Sequence, residues 1–269
     1  RRQRHMCIRD RWGSDVLRAK KYQLRGLRKL VQKSNWVTCT QGSRFEKDIV
    51  TLLDIPKEKL YNLPIGIASI DEILSRPFIT DEQAKRVWGF EGKYVIVIGY
   101  NGSPAHNHIK VIKSLVFMKK QLPTNTILVC PMTYGGNPVY RKKIKRLLWN
   151  SQFENQILEN YLTAEELVCL RKATDLFIHA QNTDANSGTI AEYLLCRKKI
   201  VNPTWITYPH YETYGSPFYS FSNFEELPQA IMKAINDTSN KVSPLLTGNI
   251  SESGWSKLAC KWVELYKKY

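Results

Sequence analysis

Residues 175–203 read DLFIHAQNTDANSGTIAEYLLCRKKIVNP, and the fold is decided here. Leu176-Phe177-Ile178 is a short apolar run that ends in a polar loop. The loop turns at Ser187-Gly188 into a helix that carries Glu192, and a second apolar edge follows at Ile200-Val201. A strand, a small-residue turn and a helix start leave unpaired backbone N–H groups facing one point, which makes a ready anion site. Asp184 and Glu192 bracket that turn, one acid in the loop and the other about one turn into the helix.

The same rhythm extends on both sides. Apolar strands are expected at 94–99, 126–130, about 156–158, 175–179 and 199–202. They alternate with helices around 107–120, 139–149, 163–171 and 188–196, the third opened by a Thr163–Glu166 capping box. Continuous apolar strands between amphipathic helices predict a parallel sheet covered on both faces, a doubly wound, Rossmann-like α/β domain. Upstream, the pattern predicts a helix over 14–33, a strand at 36–40 and a helix capped by Ser43 with Glu46. A strand at 59–64 follows, then a helix with Asp81 and Glu82 in its first turn that closes at Gly89. Beyond 203, aromatic residues crowd a loop, and helices are expected near 224–236 and 252–267. The division expected is a leader at 1–11, part of an N-terminal domain at 12–75, a ligand-binding domain at 76–240 and a C-terminal helix at 241–269.

Composition narrows the function classes. Of the 269 residues 43% are hydrophobic, which suits a packed core. No apolar run approaches the ~20 residues of a membrane span, and no secretory signal opens the chain. The six cysteines are scattered without ligand spacing, so reduced thiols of a cytosolic protein are expected and no metal site. The net charge of +16 suggests nucleic acid at first sight. Yet residues 1–33 hold twelve Lys and Arg against two Asp, which is +10 of that total. The first eleven, RRQRHMCIRDR, resemble a translated sequencing adapter, and the native N-terminus is expected to lie upstream.

Ligands of open α/β sheets bind at the carboxyl ends of the strands, where three loops of this chain fall. They are Gly99-Tyr100-Asn101-Gly102-Ser103-Pro104, running on to His106, Asn107 and His108; Pro131-Met132-Thr133-Tyr134-Gly135-Gly136; and the Asp184–Glu192 stretch. Glycines permit close backbone approach, although the first loop has neither the Walker spacing nor G-x-G-x-x-G. Together, IGYNGSPAHNHI, VCPMTYGGNPVY and LVCLRKATDLFIHAQNTDANSGTIAEYLL resemble the C-terminal half of a GT-B glycosyltransferase. Asp184-x7-Glu192 is similar to the Glu-x7-Glu motif of many such enzymes, and the three loops are most similar to the enterobacterial 4-acetamido-fucosaminyltransferases.

That resemblance implies a nucleotide diphosphate sugar donor, dTDP- or UDP-linked, and a polyprenyl-linked or glycan acceptor. The setting would be bacterial surface polysaccharide synthesis at the inner face of the cytoplasmic membrane, with no cofactor and no metal. It implies that Glu192 bonds the donor ribose and that Asp184 sits by the sugar hydroxyls. The Ser187, Gly188 and Thr189 amides would meet the diphosphate, with Gly99, Asn101, Gly102 and Ser103 on its other side and Tyr134 lining the cleft. Many relatives place Arg and Lys in the first loop, whereas this chain offers His106, Asn107 and His108, so His108 is the catalytic candidate alongside Asp184. His179, at a strand end, could line the cleft or merely cover it. The basic helix at 18–33 would suit an anionic membrane surface. A fragment lacking most of an acceptor domain is expected to be inactive alone. Two other readings remain open: a sugar-nucleotide binder without turnover, and a basic nucleic-acid module supported only by charge.

Overall fold

The computed structural model describes Val16 and residues 19–39, 43–184 and 186–267. The leader at 1–11 and the Ser43–Glu46 capping box lie outside the residues and side chains it describes.

A small unit comes first: α1 (Lys21–Lys33), β1 (Val37–Cys39), α2 (Ser43–Leu53) and β2 (Leu60–Asn62), with β1 and β2 paired in parallel. The chain then enters the larger unit through α3 (Ala68–Leu74) and α4 (Asp81–Trp88). Thr80 and Gln83 form a capping box at the start of α4, and Gly89 ends it in the left-handed region at φ 68°.

Five βα repeats follow in order: β3 (Tyr94–Ile98), α5 (His108–Phe117), β4 (Thr126–Pro131), α6 (Pro138–Asn150), β5 (Glu154–Leu158), α7 (Ala164–Ala173), β6 (Leu176–Ile178), α8 (Gly188–Leu195) and β7 (Lys199–Pro203) with α9 (Pro209–Glu212). The expected Thr163–Glu166 box is present on α7, with Thr163 N–H to Glu166 Oε2 at 2.7 Å and Glu166 N–H to Thr163 Oγ1 at 3.2 Å. β8 (Phe218–Phe221), α10 (Leu227–Asn236), α11 (Pro244–Ser251) and α12 (Trp255–Lys267) complete the described chain.

The six strands β3 to β8 form one parallel sheet in the order 5-4-3-6-7-8. Val95 and Val97 of β3 pack into the layer of α4, α7 and α8, while Ile96 and Ile98 pack into the layer of α5, α6 and α10. Both faces of the strand are therefore apolar, as an alternating pleat buried on two sides requires. The doubly wound expectation is met. The short helices α3 and α9 are not anticipated by the sequence pattern, and two further elements depart from it. The aromatic segment after 203 contains the edge strand β8, and the final helical stretch is two helices, α11 and α12. Most of those aromatics are core, with Tyr208, Tyr211, Phe218, Tyr219 and Phe221 all buried.

The strand order reverses between β3 and β6. The first three strands lead outward one way, and the chain returns beside β3 to lead outward the other way. Ile98 pairs with Ile178, so Gly99 and His179 leave the sheet side by side. In open α/β sheets such a switch point leaves a crevice between diverging loops.

The chain crosses between the two units twice. On the way out it passes through residues 63–67, and α12 carries it back. There Leu258, Trp262 and Leu265 pack on Trp36, Tyr61, Leu63 and Ile65 of the small unit, and Trp262 Nε1–H donates to the Pro64 carbonyl at 3.0 Å. Trp262→Ala is expected to cost about 3–5 kcal/mol of stability in urea unfolding. Trp262→Phe, which keeps the packing and loses the bond, should cost only about 1 kcal/mol.

Candidate functional site at the switch point

Three loops meet at the crevice, and the backbone locks them to one another. Gly102 N–H donates to the Tyr134 carbonyl at 2.7 Å. A Cβ on Gly102 would lie 2.8 Å from the Gly135 carbonyl, and one on Gly136 would collide with the Gly102 carbonyl. Gly135 and Gly136 also take positive φ, 71° and 67°. Much of the glycine content of the first two loops is therefore accounted for by their own close contact. The first and third loops are joined through Asn107, whose Nδ2 donates to the Ala180 carbonyl and to Asn182 Oδ1, both at 2.8 Å. Asn101 Oδ1 accepts from Ser103 N–H at 2.8 Å and fixes the turn between them.

At α8 the sequence folds as read. Ser187 is the N-cap, and its side chain accepts from Ile190 N–H. The Gly188 and Thr189 amides begin the first turn, where no carbonyl of the same helix lies behind them. Gly188 has ordinary φ, and a Cβ there would meet Ile67 Cγ2 at 3.5 Å, an ordinary contact.

Glu192, one turn on, does not face bulk water. Its Oε2 accepts from Arg171 Nε–H at 2.7 Å and its Oε1 from the Ser69 hydroxyl at 2.5 Å. Both charged side chains are under a tenth exposed. Burial disfavours the Arg171 charge, but the Tyr193 hydroxyl and the Glu192 carboxylate outweigh it and push the pKa up. The guanidinium also bonds the Tyr193 hydroxyl at 3.1 Å and lies over that ring at 4.6 Å. Three elements thus converge on one carboxylate: α3 through Ser69, α7 through Arg171 and α8 through Glu192 itself.

Asp184, 12% exposed, accepts from the Tyr208 hydroxyl at 2.9 Å, and His179 Nε2 lies 3.4 Å from the same oxygen. Tyr100 stands between the first and third loops, its ring stacked on His179 at 6.3 Å and edge-on to His106 at 4.3 Å. Burial, with the charge of Asp184 adding to it, pushes the Tyr100 pKa up. His108 is fully buried behind Gly99, where an added Cβ would lie 2.9 Å from its Nε2. Its Nδ1 is 3.1 Å from the Tyr140 hydroxyl. Burial lowers the His108 pKa to about 4, so the ring is neutral at pH 7. Tyr134 lies at the rim, 45% exposed and stacked on Tyr161 at 6.1 Å. Among the described residues no three His, Cys, Asp or Glu side chains converge as a metal site would require.

Solved structures with this architecture include glycosyltransferases. HepE from Anabaena, in complex with UDP-glucose, superposes with a TM-score of 0.77 at 14% identity, covering 97% of this chain and 72% of that one. Sucrose-phosphate synthase from Thermosynechococcus elongatus gives 0.72 at 13% identity over 99% and 68% of the two chains. WaaG, a glycosyltransferase involved in lipopolysaccharide biosynthesis, gives 0.64 at 15% over 91% and 69%. The fold is that of the GT-B glycosyltransferases. No protein-family model matches the chain, and no curated protein matches it.

The structure joins the first loop to the second at Gly102 and to the end of β6 and the residues after it through Asn107 and Tyr100, with His108 enclosed behind the first loop. Gly188 meets Ile67, and Glu192 meets Arg171 and Ser69. Sequence reasoning missed Arg171, Ser69 and Tyr208. Arg171 left a signal: it falls four residues after Leu167 and three after Val168, at core spacing in a helix, where a cation demands a distant partner. Removing one member of the Arg171–Glu192 pair leaves a buried charge uncompensated. Arg171→Met and Glu192→Leu are each expected to cost about 3–5 kcal/mol in chemical denaturation. The double variant should recover most of that loss, and strict additivity would contradict a direct pairing.

Proposed function

We propose that this chain is the donor-binding part of a glycosyltransferase that uses a nucleotide diphosphate sugar. The observation that carries the reading is the turn at Ser187-Gly188-Thr189, at a topological switch point, with the buried acid Glu192 one helical turn behind it. Amide dipoles there suit a diphosphate, and carboxylates suit ribose and sugar hydroxyls. The fold shared with HepE bound to UDP-glucose supports the same reading.

In this proposal Glu192 accepts from the ribose diol and Asp184 from the sugar, while Ser187, Gly188 and Thr189 hold the diphosphate. Gly99, Asn101, Gly102 and Ser103 close its other side, and Tyr134 covers the rim near the base. His108 acts from behind Gly99 by holding the first loop. Transfer then depends on positioning and on stabilising the departing diphosphate. The donor is a uracil or thymine nucleotide sugar, and the acceptor is a polyprenyl-linked sugar or glycan of a surface polysaccharide. A binder without turnover would share every one of these contacts, and an assay of transfer rather than of binding separates the two.

Proline is favoured at the first position of a helix, and Ser187 already has the extended backbone that a following proline requires. Gly188→Pro therefore removes one amide donor while keeping α8. Calorimetric titration with UDP and dTDP is expected to show tenfold to about a hundredfold weaker binding than wild type, the worth of one hydrogen bond to a charged group. An unchanged affinity would refute the proposed anion site.

Charge placement bears on the acceptor side. Residues 92–153 contain ten Lys and Arg and no Asp or Glu. With the +10 of residues 1–33 they account for more than the whole net charge of +16. On the outward face of α6, Lys142 and Arg146 stand between Val139 and Trp149, which are 78% and 85% exposed. Cations interleaved with exposed apolar side chains suit an anionic bilayer better than a nucleic-acid groove. Among the described residues no helix is long and apolar enough to cross a membrane, so the association proposed is peripheral. Co-sedimentation with phosphatidylserine-containing vesicles should weaken about fivefold for each of Lys142→Gln and Arg146→Gln. Equal binding to phosphatidylcholine alone would remove this part of the proposal.

A further inference from the structure

A bound diphosphate brings several negative charges, yet the three loops at the crevice supply no permanent cation. Residues 99–108, 131–137 and 179–189 contain no Lys or Arg, and Arg171, behind α8, is committed to Glu192. Any fixed positive charge there has to come from a neighbouring element.

Arg141 supplies one. It lies in the first turn of α6, and Ile144 and Leu148, three and seven positions on, are fully buried. These positions share one stripe of the helix, the stripe that packs on the sheet. Helical side chains lean toward the N-terminus of their helix, which directs Arg141 to the second loop at the carboxyl end of β4. The contact made there agrees: Arg141 Nη2–H donates to the Gly135 carbonyl at 2.8 Å. Lys142 and Arg146, on the outward face, are exposed, whereas Arg141 is half-buried.

Gly135 is also where the second loop meets the first. A Cβ on Gly135 would lie 3.2 Å from Ser103 N, and one on Gly102 would lie 2.8 Å from the same Gly135 carbonyl that Arg141 holds. The guanidinium therefore lies across a single carbonyl from Gly102 and Ser103, the residues proposed to close the diphosphate site opposite α8. A guanidinium has several N–H donors in a rigid fork. Arg141 spends one of them on Gly135, and among the described residues it pairs with no carboxylate. Its other donors and its charge are uncommitted.

We propose that Arg141 is a donor-binding residue: anchored on the Gly135 carbonyl, its guanidinium takes phosphate oxygens of a nucleoside diphosphate from the side opposite the α8 amides. The inference rests on the reading of the crevice as a diphosphate pocket. Arginine suits the task because its planar fork can bind two oxygens at once while another N–H stays on the protein. The positive charge that the first loop lacks is thereby supplied by the helix after the second.

Titrations of wild type, Arg141→Gln and Arg141→Lys test this, with UDP followed by calorimetry and uridine by NMR shifts. Arg141→Gln is expected to bind UDP tenfold to about a hundredfold more weakly than wild type, the range for hydrogen bonds to a charged group. Its affinity for uridine should stay at the wild-type level, which also shows that the variant is folded. Arg141→Lys, which keeps the charge and loses the fork, should fall between the two toward UDP. Equal weakening toward UDP and uridine would reduce Arg141 to a support of the Gly135 turn and overturn the proposal. So would an unchanged UDP affinity in Arg141→Gln, or equal losses in the Lys and Gln variants. If wild type itself binds no UDP, the diphosphate reading fails and takes the proposal with it. Wild-type binding that is indifferent to Arg141 overturns the proposal alone.

Discussion

A carboxylate buried beside the proposed anion site is tolerable only if something cancels its charge, and the Arg171–Glu192 pair meets that condition. Two ions taken out of water must repay a desolvation cost of several kcal/mol each, which needs short, well-directed hydrogen bonds. Glu192 has them from Arg171 and Ser69, and Arg171 has a further partner in Tyr193. Because these groups come from α3, α7 and α8, the pair also fixes how three helices stand relative to one another. The first turn of α8 can then present its amides in a set direction, with an ion pair of no net charge behind them.

Rigidity at the opposite side of the crevice has a different origin. The first two loops touch mainly through backbone atoms at Gly102, Gly135 and Gly136, with the Asn101 side chain also against Gly135. Asn107, in the left-handed region at φ 53°, turns the first loop into α5 and bonds the third loop on the way. A site built this way needs little reordering when a ligand arrives, which lowers the entropic cost of binding. Function is carried on loops, but these loops are held by the sheet edge and by one another.

How much of this was legible in the sequence depended on the range of the interaction. Strands β3, β4, β6 and β7 were readable because burial on both faces makes them continuous apolar runs. Thr163 with Glu166 and Gly89 marked helix ends because caps are local chemistry. β8 was hidden: Phe218-Tyr219-Ser220-Phe221 sits in an aromatic-rich stretch whose composition signals packing but not strand direction. α11 was hidden because Pro244, Gly248 and Asn249 leave no clear apolar stripe. At the site, the Ser187-Gly188 turn and the two acids were visible as a local pattern. Ser69 lies 123 residues from Glu192, and no local pattern records such a partner. Both first-loop glycines were read toward a ligand, whereas the structure also gives Gly102 a close contact in the second loop and Gly99 one with His108.

The two crossings between the units are packed joints rather than free linkers, and this bears on how the site could respond to the rest of the molecule. Gly66 lies so close to the Trp255 ring that a Cβ there would collide with it, and Ile67 N–H donates to the Ser253 carbonyl at 2.8 Å. Asp71, one helical turn into α3, accepts from Ser256 at the start of α12. The outgoing and returning chains are therefore bonded to each other. The next residues along the outgoing chain are the ones that touch the site: Ile67 lies against Gly188, and Ser69 bonds Glu192. Any rotation of the small unit about this joint must be taken up within two or three residues of those contacts. Packed interfaces shift between discrete arrangements instead of deforming smoothly. The amides of α8 and the Glu192 carboxylate thus sit where a change in the relation of the two units would be felt first.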